Sequence, residues 1–202
     1  MSFVTDALWR LRARRLFQCS GLFAALPLTG SVLEVEGDRG YLAEAAVHHI
    51  PNRRCVVVDS GRVSRPAVDR RVRRRKFHRV CASPAALPFA DAAFDAAWTS
   101  FALARLGPAV QERVLAEMVR VVRPGGLLLA IEFVPETTAQ TMQARLAEAF
   151  VPYQPAGARH YRSTAAWRLV LARAGWAIET ERAFGAGGGG TRRTFVCRRA
   201  RV

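Results

Sequence analysis

The stretch Ser31–Ala46, SVLEVEGDRGYLAEAA, decides how the chain is read. Its apolar start, Val32–Val35, ends in acidic residues, and a helix-like run opens after Gly40. A strand, a tight loop and a helix in that order are the opening of an α/β unit. The loop departs from what such a turn usually draws on, because Glu36, Gly37, Asp38 and Arg39 stand where several glycines are expected. Glycine serves where backbone approaches a ligand closely or takes a positive φ, and a side chain at such a position costs about 1 kcal/mol. The loop therefore either holds a ligand through altered residues or has lost that task.

Working outward, CVVVD (Cys55–Asp59) is a short β-branched run ending in a carboxylate, as a buried parallel strand does. Before the first strand, Asp6–Phe17 places Trp9, Ala13, Leu16 and Phe17 on one stripe of a helix, and Leu26–Gly30 makes a turn. Further helices are predicted over Tyr41–Val47, Pro66–Lys76, Val110–Val122 and Thr164–Ala174. Strands are predicted at His78–Ala82, Phe94–Ser100, Leu127–Phe133, Ala177–Arg182 and Arg193–Arg199. GAGGGG (Gly185–Gly190) leads into a strand rather than opening a helix, so it reads as a hairpin connection and not as a phosphate cradle. Alternating strands and helices imply a parallel sheet covered on both faces, with ligands at the carboxyl ends of the strands.

The chain's 202 residues suit one domain, with residues 1–30 as a helical segment packing on the core and 31–202 as the main body. No apolar run reaches the length of a membrane span, and the N-terminus lacks the uninterrupted apolar core of a secretory signal. The four cysteines, Cys19, Cys55, Cys81 and Cys197, show no metal-like spacing and read as reduced thiols of a cytoplasmic protein. The formal charge is +15, and Lys76 is the lone lysine. Arg70, Arg71, Arg73, Arg74, Arg75 and Lys76 form the densest basic block, a candidate contact for a polyanion or partner protein. No aromatic residue interleaves this block to stack on bases, which favours a solvated helix end.

Four pieces in order carry a more specific signal: VLEVEGDRGYLAEAA, then VVVD about 25 residues on, LPFADAAFDAAWTSFAL, and EMVRVVRPGGLLLAIEF. Together, over Leu26–Phe133, they resemble a class I S-adenosylmethionine-dependent methyltransferase of the branch acting on quinones, lipids and other small molecules. The resemblance implies a Rossmann-like α/β fold. Its seven-stranded sheet is mostly parallel with the last strand antiparallel, helices lie on both faces, and the cofactor lies across the first strands. It assigns Glu34 to the acidic residue that begins the glycine loop and Asp59 to the carboxylate that grips the ribose hydroxyls. A carboxylate accepts both hydroxyl protons, which is the reason for that residue type; a cap or turn role is the plainer alternative.

In the family's loop, acidic-x-Gly-x-Gly-x-Gly, the glycine positions fall here on Glu36, Asp38 and Gly40, with Gly37 between them. Ser60 stands where an apolar residue meets the adenine, and Ser83 replaces an aspartate partner of its amino group. Ala104-Arg105 occupies a position where histidine is common. Such changes imply S-adenosylmethionine binding that is weakened, altered or lost. Thr99, Ser100 and Glu132 are pocket candidates, and Tyr153, His160 and Tyr161 lie in the segment expected over a small-molecule acceptor. His160 is read either as a base or as a surface histidine. Methyl transfer needs chiefly alignment, so an obvious acid–base pair is not required. Two functions follow: methyl transfer to a small organic acceptor, or a catalytically silent member of the fold serving as a binding partner.

Overall fold

The computed structural model describes residues 3–37, 40–49, 53–61, 77–149, 158–184 and 192–201. Seven strands, β1 (Gly30–Val35), β2 (Arg53–Asp59), β3 (Phe77–Cys81), β4 (Phe94–Ser100), β5 (Val122–Phe133), β6 (Trp176–Phe184) and β7 (Arg192–Arg199), form one sheet. Their order is β3-β2-β1-β4-β5-β7-β6. The pairs β1–β2, β1–β4, β2–β3 and β4–β5 are parallel, and β7 runs antiparallel to β5 and β6. The reversed last strand implied by the sequence is present.

Strand residues of both parities are apolar because both faces of the sheet are covered. On one face Leu33, Val35, Ala97, Leu128 and Ala130 pack with Val114, Leu115, Met118 and Val121 of helix α4 (Pro108–Val121) and Trp167, Val170 and Leu171 of α6 (Thr164–Arg173). On the other face Val32, Val57, Ala96, Trp98 and Leu129 pack with Leu42, Ala43 and Ala46 of α3 (Tyr41–His49) and with Ala13 of α1 (Phe3–Cys19). Each fully buried leucine contributes roughly 1.5–3 kcal/mol, so the two layers fix which way every strand side chain points. Arg10 of α1 donates from Nε to both oxygens of Glu44 on α3, at 3.1 and 3.2 Å, which ties the first helix to the sheet's cover. The short α2 (Leu22–Ala25) joins α1 to β1.

The sequence motifs turn out to knit neighbouring elements. Asp95 accepts from the Ser31 amide at 2.8 Å and from Arg123 Nε at 2.7 Å, joining the start of β1 to the head of β5. Leu87 donates its amide to Glu117 at 2.7 Å, while Arg120 donates to the carbonyls of Leu87 and Phe89 at 2.9 and 2.7 Å. Leu87-Pro88-Phe89 is thereby fastened to α4, and the Phe89 ring meets Phe94 edge-on at 5.0 Å.

Some expected boundaries differ. Arg123–Gly126 is not a turn ahead of the strand but an irregularity inside β5, since Phe94 pairs with Val122 and Ala96 with Leu127. Gly125 takes φ 73°, and a Cβ on Gly126 would stand 2.7 Å from the Asp95 carbonyl oxygen, so the excursion requires both glycines. Helix α5 (Thr138–Ala149) was not expected, although Ala139, Met142, Leu146 and Ala149 fall at helical spacing; Met142 and Leu146 are exposed and Ala144 is buried. The helix expected at Pro66–Lys76 and the connection at Gly185–Gly190 lie outside the described residues.

Candidate cofactor site

Strand order reverses between β1 and β4, which opens a crevice at the carboxyl ends of the strands, the usual ligand position in such sheets. The chain leaving β1 turns there beside the end of β2. The Glu36 amide donates to the Val58 carbonyl at 2.7 Å, and the Glu36 carboxylate accepts from the Ser60 amide at 2.9 Å. Glu36 sits at φ 55° and Gly40 at φ 76°. The left-handed backbone that glycine would supply is thus retained at position 36, at a cost of about 1–2 kcal/mol for an L residue.

Glu34 is 1 % exposed, and its Oε2 accepts from the Ala43 amide in the first turn of α3 at 3.2 Å. Burial pushes its carboxyl up to about 8, with the nearby Asp59 charge adding to the rise. The Trp98 indole N–H comes close enough to favour the ionised form, although without hydrogen-bond geometry to an acceptor. Gly37 closes over this carboxyl: a Cβ there would lie 2.5 Å from Glu34 Cδ. Gly37, rather than position 36, is where a side chain has no room, and its task is packing on Glu34.

Asp59 ends β2 and is 5 % exposed. Its Oδ2 accepts from Nη2 of Arg79 on β3. Ser60 is exposed and engages Glu36 through its amide, and Ser83, also exposed, uses its hydroxyl to accept from the Ala85 amide in a local turn. Thr99 is fully buried at the end of β4, its hydroxyl without a hydrogen-bond partner among the described residues, and Ser100 next to it is half-buried.

Glu132, fully buried near the end of β5, accepts through Oε1 from the amides of Ala102 and Leu103, at 3.2 and 3.0 Å. It thereby fastens the 3-10 turn Leu103–Arg105; its Oε2 has no partner among the described residues, and burial pushes the carboxyl up to about 8. His160 is half-buried; its amide donates to the Ala104 carbonyl at 2.7 Å and its carbonyl accepts from Gln111 Nε2 at 3.1 Å. Gln111, fully buried, also donates to the Leu103 and Leu106 carbonyls and accepts from Arg162 Nε at 2.6 Å. The segment bearing His160 is therefore seated against the turn that follows β4.

Gln111 and Arg79 were not singled out by the sequence reading. Gln111 did leave a signal, a polar residue at the spacing of Val114, Leu115 and Met118 on the buried face of α4. Asp38, Tyr153 and the block of Arg70, Arg71, Arg73, Arg74, Arg75 and Lys76 lie outside the described residues.

A family model described as a methyltransferase domain matches residues 36–130. The chain thus resembles the class I methyltransferases. Its relatives include a demethylmenaquinone methyltransferase of Beutenbergia cavernae, 55% identical over 47 residues, which are 23% of this chain and 19% of that protein. The protein of that name from Corynebacterium urealyticum is 35% identical over 135 residues, 66% of this chain and 51% of that protein. The matched segments thus span between about a fifth and a half of these curated relatives. An S-adenosylmethionine-dependent methyltransferase from Methanosarcina mazei superposes with a TM-score of 0.72 at 15% identity, over 90% of this chain and 97% of that one; this likeness concerns the fold. No helix among the described residues is long and apolar enough to cross a membrane.

The family's cofactor fits this crevice in backbone and donor set. Asp59 offers an acceptor-only carboxylate at the strand end suited to vicinal hydroxyls, and the β1 loop runs within hydrogen-bond reach of β2 beside it. The Glu36 carboxylate crosses the same gap.

Proposed function

We propose that the chain transfers a methyl group from S-adenosylmethionine to a small organic acceptor of the quinone type. The observation that carries the reading is Asp59, presented beside the β1 loop next to the point where strand order reverses. The match to a methyltransferase-domain model supports the reaction, and the names of the curated relatives support the acceptor class. When bound, the cofactor supplies an electrophilic methyl on a sulfonium. Asp59 would hold the ribose hydroxyls, with Arg79 fixing the orientation of its carboxylate. Glu34, Gly37 and Gly40 would keep the loop's path, while Ser60, Ser83 and Thr99 complete the surroundings. Ser100 and His160 would face the acceptor, with Tyr153 from the covering segment. His160 would take the proton of a phenolic or quinol acceptor. Proximity and alignment carry most of the rate in such a transfer.

The test is incubation with methyl-labelled S-adenosylmethionine and a panel of demethylated quinols and simple phenols. Label in a quinol product, reduced at least tenfold in His160→Ala, is the expected result. No transfer to any acceptor, with no cofactor binding, would leave the silent binding-partner reading. We also propose a polyanion contact through Arg70–Lys76; binding that does not weaken steeply with salt would end that idea.

A further inference from the structure

We propose that Glu36 is an affinity-setting residue that acts as an internal ligand of the cofactor cleft. Its carboxylate bridges the gap between the β1 loop and the end of β2, and the bridge must open before an adenosyl group lies beside Asp59. This rests on the reading of the cleft as a cofactor site given above.

Three observations converge on the bridge. The Glu36 backbone is held to β2 through the Val58 carbonyl at 2.7 Å, one step beyond the last paired residues of β1 and β2, so the half-buried side chain leaves the backbone where the two strands end. Its Oε1 then reaches the Ser60 amide at 2.9 Å, the first peptide group after the ribose-facing Asp59. The residue holds φ 55°, a conformation that glycine adopts without strain, so the side chain is retained there against a backbone cost. A hydrogen bond with a charged acceptor outweighs an ordinary one. Breaking it before the ligand enters therefore subtracts directly from binding.

The experiment is calorimetric titration of wild type, Glu36→Ala and Glu36→Gly with both S-adenosylhomocysteine and S-adenosylmethionine. Circular dichroism confirms that each variant is folded. Glu36→Ala keeps the Cβ and the strained backbone while removing the carboxylate; Glu36→Gly removes all three. The expected result is binding of both ligands about tenfold tighter in Glu36→Ala, with Glu36→Gly at least as tight. Hydrogen exchange at the Ser60 amide is expected to quicken in Glu36→Ala.

Tightening in Glu36→Gly alone would assign the effect to the backbone and overturn the bridge. Unchanged affinity in both variants overturns it while leaving the cofactor site standing. Weaker binding in Glu36→Ala makes Glu36 a ligand contact, and weakening confined to S-adenosylmethionine makes it a partner of the sulfonium; either result overturns the bridge. No binding by any of the three proteins overturns the bridge and the proposed function together.

Discussion

Arg79 on β3 reaches back across the sheet to hold the carboxylate of Asp59, the last residue of β2. In the parallel register Asp59 faces Cys81 and Arg79 faces Val57, so the guanidinium lies one same-face step behind the acid that it holds. Side-chain exposures of 18% for Arg79 and 8% for Asp59 keep water largely away from the pair. Arg79→Met removes the charge at similar volume and leaves a buried carboxylate without this partner, an expected loss of about 3 kcal/mol in urea denaturation. A loss below about 0.5 kcal/mol would place the pair among ordinary surface bridges.

Gly37 and Glu34 form a second coupled pair. Gly37→Ala puts a Cβ 2.5 Å from Glu34 Cδ, and an expected destabilisation of about 1–3 kcal/mol follows from overpacking. In a Glu34→Ala background the same change is expected to cost much less, because the atoms it meets are gone. A double-mutant cycle by denaturant titration reads the coupling, and additive costs would count against the packing described.

The pH dependence of stability has a definite sign at Glu34 and Glu132. Burial raises both native carboxyls to about 8. Below the ordinary carboxyl range both folded and unfolded chains are protonated. As pH rises from there to about 8 the unfolded chain ionises first, so the stabilisation these groups provide is lost over that window. Glu132→Gln keeps an acceptor for the Ala102 and Leu103 amides without an ionisable proton. The variant is expected to lose about 1–3 kcal/mol less stability than wild type between about pH 5 and about pH 8. Thermal unfolding across that range checks it, and parallel curves would contradict it.

Gln111 is expected to hold the His160 segment in place. Gln111→Leu fits the apolar face of α4 but strips the donors to the Leu103, Leu106 and His160 carbonyls and the acceptor for Arg162. About 2 kcal/mol of destabilisation is expected from the unpaired buried groups, with faster hydrogen exchange at the His160 amide. Unaltered exchange there would show that the Ala104 carbonyl alone seats the segment.

The fold was legible because its strongest motifs are themselves structural. Asp95 and Arg123 hold β1 to β5, and Glu117 and Arg120 hold Leu87-Pro88-Phe89, so the spacing of those pieces encodes the scaffold. The placement of Asp59 beside the β1 loop followed from the same register. The bridge from Glu36 to Ser60 was not legible, because glycine loss signals a changed loop without saying where the new side chain goes. Arg79 was hidden for a similar reason: one arginine among the chain's 31 basic residues carries no mark of its partner.

The placement of an adenosyl group between the β1 loop and Asp59 is tested most directly by calorimetric titration of S-adenosylhomocysteine into wild type and Asp59→Asn. Asparagine keeps the size of the side chain but removes its charge and replaces one acceptor oxygen with a donor, so the charge-assisted acceptance of both hydroxyl protons is lost. Saturable binding to wild type, weakened at least about tenfold in a folded Asp59→Asn, is the expected result. No binding to wild type at high micromolar ligand, or equal binding to both proteins, would contradict it.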